Sequence, residues 1–182
     1  MATPASVLQQ ADASYTKQPG IICAVMTADC LPILICAFDG SQVAAVHAGW
    51  RGTVAGVVSA AVAAARADGI AARDLHAALG PSIGPCCYEV GPEVADAFGQ
   101  RGFSVIRARA GERFYVDLRG CNRSLLSSAG LLPARIRACG PCTRCRSDLY
   151  HSYRSDRDGA GRQWSWVGWA DPARQKDSRD TA

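Results

Sequence analysis

The chain has 182 residues, 48% hydrophobic and 20% charged, which fits one ordinary domain with its own core. Those fractions exclude a disordered chain, and no apolar run approaches the ~20 residues a membrane-spanning helix needs. The net charge of +4 is unevenly spread: residues 1–100 hold four basic against eight acidic side chains, and residues 101–182 hold 16 against eight. A basic half raises the local concentration of anions. No nucleic-acid motif accompanies the arginines, so no nucleic-acid partner is expected. Met1 to Ser6 lack the basic start and apolar core of a signal peptide, which points to a cytoplasmic domain. Nine cysteines, an odd number in a chain with ample core, read as mostly reduced thiols.

In chain order, residues 21–26 and 31–36 are continuous apolar runs, as expected of strands covered on both faces. Asp39-Gly40 signals a hairpin turn into a strand at 42–47. The Ala-rich stretch 54–66 predicts a helix, stopped by Asp68-Gly69. Residues 76–81 read as a strand entering a glycine-rich loop, and Pro92 opens a short helix with Glu93 in its first turn. Strands at 103–106 and 114–116, a helix at 118–129 and a strand at 134–138 follow. A strand with period-two alternation is expected at 163–167. Strands and helices intermix, so the class is α/β (α+β), a mixed central sheet covered by helices. Residues 1–170 form one domain, and 171–182 form a disordered polar tail.

The hairpin carries the first candidate site. A two-residue turn at Asp39-Gly40 sets Phe38 against Ser41, so paired positions sum to 79 and His47 lies opposite Pro32. Cys30 then shares a face with His47, close enough for both to grip one Zn²⁺ or to form a thiol–imidazole pair. Spacing alone favours a buried thiol and an unrelated strand-end histidine. After His47, Arg51 stands between glycines at a predicted helix start, the composition of an anion site. The loop 80–91, with Gly80, Ser82 and Gly84, is stiff and shaped but is neither a Walker loop nor a dinucleotide fingerprint.

Other thiols and histidines carry less. Cys139, Cys142 and Cys145 make C-x2-C-x2-C, but the fourth cysteine of an iron–sulfur run is replaced by Leu149, and no second C-x2-C completes a zinc ribbon. These thiols are therefore assigned no metal. Adjacent Cys86 and Cys87 are poorly placed for a mutual disulfide. His76 reads as structural, and His151, among Tyr and Arg, as a pocket-lining or surface side chain. A blue-copper site takes two His, one Cys and an axial Met, and a multicopper centre needs many more histidines than the three present, which argues against a copper oxidase.

Several segments together resemble the laccase-domain (polyphenol oxidase, YfiH-like) family. They are Ala11-Asp12-Ala13-Ser14-Tyr15-Thr16, Thr27-Ala28-Asp29-Cys30-Leu31-Pro32 and Val46-His47-Ala48-Gly49-Trp50-Arg51-Gly52. Leu79-Gly80-Pro81-Ser82-Ile83-Gly84-Pro85, Tyr88-Glu89-Val90-Gly91, Val116-Asp117-Leu118 and Ser152-Tyr153-Arg154 complete the set, in family order across residues 11–168. The resemblance implies a zinc-dependent purine nucleoside phosphorylase acting on adenosine, inosine and methylthioadenosine, with adenosine deaminase activity. It implies metal ligation by Cys30 and His47; beside that pair, Arg51 near a helix N-terminus is expected to hold phosphate, and the loop with Gly80, Ser82 and Gly84 to shape the substrate pocket. Purine nucleoside and phosphate are the expected partners, with no membrane; oligomerisation is left open. The family's third ligand, a histidine in an N-terminal Q-V-H-G segment, has no counterpart here, so the chain reads as N-terminally truncated relative to the family. The related alternatives are a Cys–His hydrolase or amidase of the peptidoglycan-precursor editing type, and an inactive short form serving as a binding domain.

Overall fold

The computed structural model describes residues 11–107 and 113–170. The first half gives β1 (Ala13–Thr16), β2 (Cys23–Thr27), β3 (Leu31–Ala37), β4 (Val43–Ala48), α1 (Trp50–Ala55), α2 (Val57–Ala67) and β5 (Leu75–Leu79). The second half gives β6 (Glu89–Val90), α3 (Pro92–Gln100), β7 (Ile106–Arg107), β8 (Phe114–Tyr115), α4 (Leu118–Ser128), β9 (Ile136–Ala138), α5 (Tyr153–Asp156) and β10 (Gln163–Val167). The expected tail at 171–182 lies outside the described residues.

The central sheet runs β1-β4-β3-β5-β9, antiparallel except for the parallel β5–β9 pair. It is mixed, as the sequence predicts, and helices cover one of its faces. Alternation along the strands separates two cores. Leu31, Ile33 and Ile35 of β3, with Ala44 and Val46 of β4 and Leu75 and Leu79 of β5, pack with Val58, Val62, Leu118 and Leu126 of α2 and α4. On the other face Val43 and Ala45 of β4 meet Cys23 of β2, with Leu34, Cys36, Val167 and Trp169 around them. That face is roofed by a two-stranded ribbon of β2 and β10.

Three local expectations change. β2 is not covered on both sides: Ala24 and Met26 face solvent, opposite Trp166 and Trp164, which are 61% and 63% exposed. The period-two pattern of β10 holds, but its tryptophans are the outward set, because Gln163, Ser165 and Val167 are the residues turned toward the sheet. The single helix expected at 54–66 is two, broken where Gly56 adopts φ +82°, a left-handed conformation that glycine adopts at little cost. The hairpin loop is longer than two residues: Ala37 N–H donates to Gln42 O at 2.9 Å, leaving 38–41 as the turn. Lengthening by an even number preserves parity, so Pro32 still faces His47 and pairs still sum to 79.

Candidate functional site

Cys30 lies in the short connection between β2 and β3, and His47 near the end of β4, on the face of the sheet away from the main helical core. Both groups border Gly49: a Cβ there would meet Cys30 Sγ at 3.2 Å and His47 Nε2 at 3.9 Å. Gly49 therefore opens the space in which thiol and imidazole converge. Asp12 orients the ring, its Oδ1 lying 2.9 Å from His47 Nδ1 and its backbone carbonyl accepting the His47 N–H at 2.7 Å. With Nδ1 taken by a carboxylate, Nε2 is the nitrogen free to act beside Cys30. The His47 pKa rises to about 9, first through its hydrogen bond with Cys30, against the effect of burial, and then through Asp12.

Asp29 holds the Cys30 turn in place. Its φ is +81°, one of two positive values among the described non-glycine residues, and its side chain is buried. Oδ1 accepts from Thr143 Oγ1 at 2.6 Å, while Oδ2 accepts from Ser152 Oγ at 3.1 Å and from the Arg154 backbone N–H at 2.7 Å. The Asp29 carbonyl accepts the Ile83 N–H at 2.9 Å. One carboxylate thus joins segments more than 110 residues apart.

Beside this pair runs a cleft of about 690 Å³, whose lining includes Trp50, Tyr88, four arginines (Arg51, Arg144, Arg154 and Arg157) and two carboxylates, Glu89 and Glu93. Arg51 stacks on Trp50, with Cζ 4.4 Å from the ring centroid. Arg154 lies 5.2 Å over the Tyr88 ring and donates from Nη1 to Glu89 O at 2.7 Å. Burial pushes the Tyr88 hydroxyl up to about 12, with Cys30 adding and Arg154 and Arg51 opposing, so Tyr88 stays a neutral phenol between thiol and arginines. Arg51, the expected anion-binding residue, thus stands among three further guanidinium groups. α1 spans only six residues, so its dipole contributes little.

Gly80, Ser82 and Gly84 are placed elsewhere. Gly80 abuts Pro32, Ser82 is buried and bridges to Cys142, and the Gly84 N–H donates to Cys142 Sγ at 3.2 Å. Their loop reaches the cleft through Tyr88 to Gly91 instead. His76 is structural, stacked on Phe38 with ring centroids 5.8 Å apart. His151 is exposed, lies against Gly161 and is not among the residues that line the cleft.

The reading of the C-x2-C-x2-C segment needs correction. Cys142 and Cys145 meet Cys86 and Cys87, and their four donor atoms lie within 4.8 Å of one another. The completing pair is adjacent in sequence and 55 residues or more away, so no local motif shows it. Cys139 stands apart, its thiol 3.5 Å from Leu79 O. Asp12, Asp29, Tyr88 and Arg154 were likewise not assigned roles, although each lies inside a segment carrying the family resemblance.

The fold and this pair define an α/β domain with an oriented thiol–imidazole couple beside an arginine-lined cleft. The family model described as multi-copper polyphenol oxidoreductase laccase matches residues 1–170, and the chain belongs to that family. It is 41% identical over 161 residues to the purine nucleoside phosphorylase YfiH of Shigella flexneri, covering 87% of this chain and 64% of the relative. It is 37% identical over 166 residues to adenosine deaminase RL5 of an unknown prokaryotic organism, covering 89% and 63%. The crystal structure of YlmD from Geobacillus stearothermophilus superposes with a TM-score of 0.82 at 33% identity, over 88% of this chain and 61% of that one. The chain thus spans just under two thirds of the length of these proteins. Among the described residues, no helix is long and apolar enough to cross a membrane.

Proposed function

We propose that the chain carries the core of a purine nucleoside phosphorylase site that also deaminates adenosine, with Cys30 and His47 as zinc ligands and Arg51 as a phosphate-binding residue. The convergence of thiol and Nε2 at Gly49, with Asp12 fixing the ring, is the observation that carries this reading. A thiolate and an imidazole match zinc, with Zn–S of about 2.3 Å and Zn–N of about 2.1 Å. They supply two of the three protein ligands usual for a catalytic site, and no third His, Cys, Asp or Glu donor joins them among the described residues. When bound, the ion supplies Lewis-acid activation at the reacting centre.

The chain's own residues supply the rest. Arg51, aided by Arg144, Arg154 and Arg157, holds phosphate against a developing positive charge on the ribosyl carbon. Tyr88 and Trp50 offer aromatic surface for the base. The names borne by the phosphorylase and deaminase relatives support the same reading. Cys30→Ala is expected to remove the zinc held by that pair and abolish inosine phosphorolysis, measured as hypoxanthine release. Arg51→Ala is expected to raise the KM for phosphate about tenfold, the worth of one charge-assisted hydrogen bond. Retention of phosphorolysis and of the zinc held by the Cys30–His47 pair in Cys30→Ala would overturn the reading.

The hydrogen-bonded Cys30–His47–Asp12 series also favours a second reading, a Cys–His hydrolase in which Cys30 is the nucleophile and His47 the base. Inactivation by iodoacetamide that persists after chelation would select it.

A further inference from the structure

We propose that Cys86, Cys87, Cys142 and Cys145 form a second, tetrathiolate metal site that holds one structural zinc ion and pins two loops of the cleft together.

Geometry is the first argument. A tetrahedron with Zn–S bonds of about 2.3 Å has S–S edges of about 3.8 Å. Cys145 Sγ lies 3.4 Å from Cys87 Sγ and 3.6 Å from Cys86 Sγ, and all four sulfurs fall within 4.8 Å. One sulfur nearly equidistant from two others is arranged for a shared ion rather than for one disulfide partner. Four converging thiolates suit a mononuclear, closed site; an iron–sulfur cluster spreads its cysteines over more than one iron.

Preorganisation is the second. The two loops are joined without the cysteines, by the Ser82–Cys142 bridge and the Thr143 N–H donating to Ser82 O at 3.1 Å. Gly84 brings its backbone against the sulfurs, since a Cβ there would lie 3.3 Å from both Cys86 Sγ and Cys142 Cβ. The Gly84 backbone N–H donates to the Cys142 sulfur at 3.2 Å. Backbone amides aimed at a thiolate are the second-shell support a bound metal uses. Cys86 and Cys145 are exposed, so an ion can reach the site from solvent.

The site's position gives it a task. Tyr88 follows Cys87 directly, Arg144 lies between Cys142 and Cys145, and both line the cleft. Thr143, in the same turn, holds Asp29 beside Cys30. An ion here fixes the cleft walls without touching substrate.

The test is cobalt substitution of the reduced chain, read by absorbance and metal analysis. In Cys30→Ala/His47→Ala, which lacks the other pair, about one Co²⁺ per chain is expected, with the intense visible bands and thiolate charge transfer of tetrahedral four-sulfur coordination. Those bands are expected to disappear in Cys142→Ser and in Cys86→Ser/Cys87→Ser. Absence of four-sulfur cobalt from the Cys30→Ala/His47→Ala protein would overturn the proposal. So would persistence of the bands in a cysteine variant, or a Cys87–Cys145 disulfide in chain purified with zinc and reductant. Should the cysteine variants fail to fold, the spectrum of Cys30→Ala/His47→Ala still decides. Because the two sets of variants separate the two donor groups, failure here is distinct from failure of the purine-nucleoside reading.

Discussion

His47 gains its character from neighbours on three other segments: Asp12 before β1, Cys30 before β3 and Gly49 at the start of α1. In the metal-free protein its ring titrates near 9, above the ordinary 6.5. A folded-state pKa above the unfolded one means that the protonated ring stabilises the fold. That contribution is fully present below about 6.5 and is lost as pH rises through about 9. An NMR titration of the imidazole in chelator-treated protein is expected to show the raised value, and Asp12→Ala to lower it. An unshifted His47 in the unsubstituted chain would contradict the hydrogen-bond pattern. The same proton must leave when a metal binds, so zinc uptake at this pair is expected to weaken as pH falls.

At the scale of elements, the break between α1 and α2 ends the short helix that carries Trp50 and Arg51. Gly56 caps α1 with its N–H on Gly52 O and Thr53 O, and α2 begins at Val57. α1 is also tied to α4 through buried Asn122, which donates from Nδ2 to Thr53 Oγ1 at 2.9 Å and to Leu118 O at 2.8 Å. A Cβ on Gly56 would meet only Arg101 Nη2, at 3.6 Å, so the cost of a side chain is backbone strain rather than a clash. Gly56→Ala is expected to destabilise by about 1–2 kcal/mol in urea unfolding, and Gly56→Asn by less, because Asn tolerates the left-handed region. Equal losses for Ala and Asn would place the effect elsewhere. On the opposite face, the β2–β10 ribbon shields Val43 and Ala45 while turning Trp164 and Trp166 outward. The ribbon thus covers core with its small and polar residues.

Across the whole molecule, Asp29 collects segments far apart in the chain around the site. Its carboxylate satisfies Thr143, Ser152 and the Arg154 amide, while its carbonyl receives Ile83. Removing it leaves three donors in or near the interior without their acceptor and imposes a left-handed backbone on the replacement. Asp29→Ala is expected to cost on the order of 4 kcal/mol, measured by chemical denaturation. It should also release Arg154 from the cleft wall, which differential hydrogen exchange at the Arg154 amide would register. A near-neutral effect would show that water replaces the carboxylate without loss.

Much was legible from residues alone. Alternation and apolar runs placed β3, β4, β5 and β10. The register summing to 79 followed from turn parity, which survived a longer loop because the extra residues came in an even number. Asp68-Gly69, Pro92 and the helix at 118–129 were readable because caps and stops act within a few residues. The two-residue strands β6 and β7 were less so, the expected 103–106 strand forming at Ile106–Arg107, since such short pairing is decided by partners elsewhere in the chain. By itself the sequence determined the α/β class, the hairpin register that sets Cys30 beside His47, and the family. Only the tertiary structure decided that Asp12 orients the imidazole, that Asp29 knots four segments, and that Cys86 and Cys87 complete Cys142 and Cys145. Periodicity and capping are local and leave a trace in spacing; a buried carboxylate's partners and a four-sulfur cluster are made by loops that meet after the core has packed, so no spacing records them.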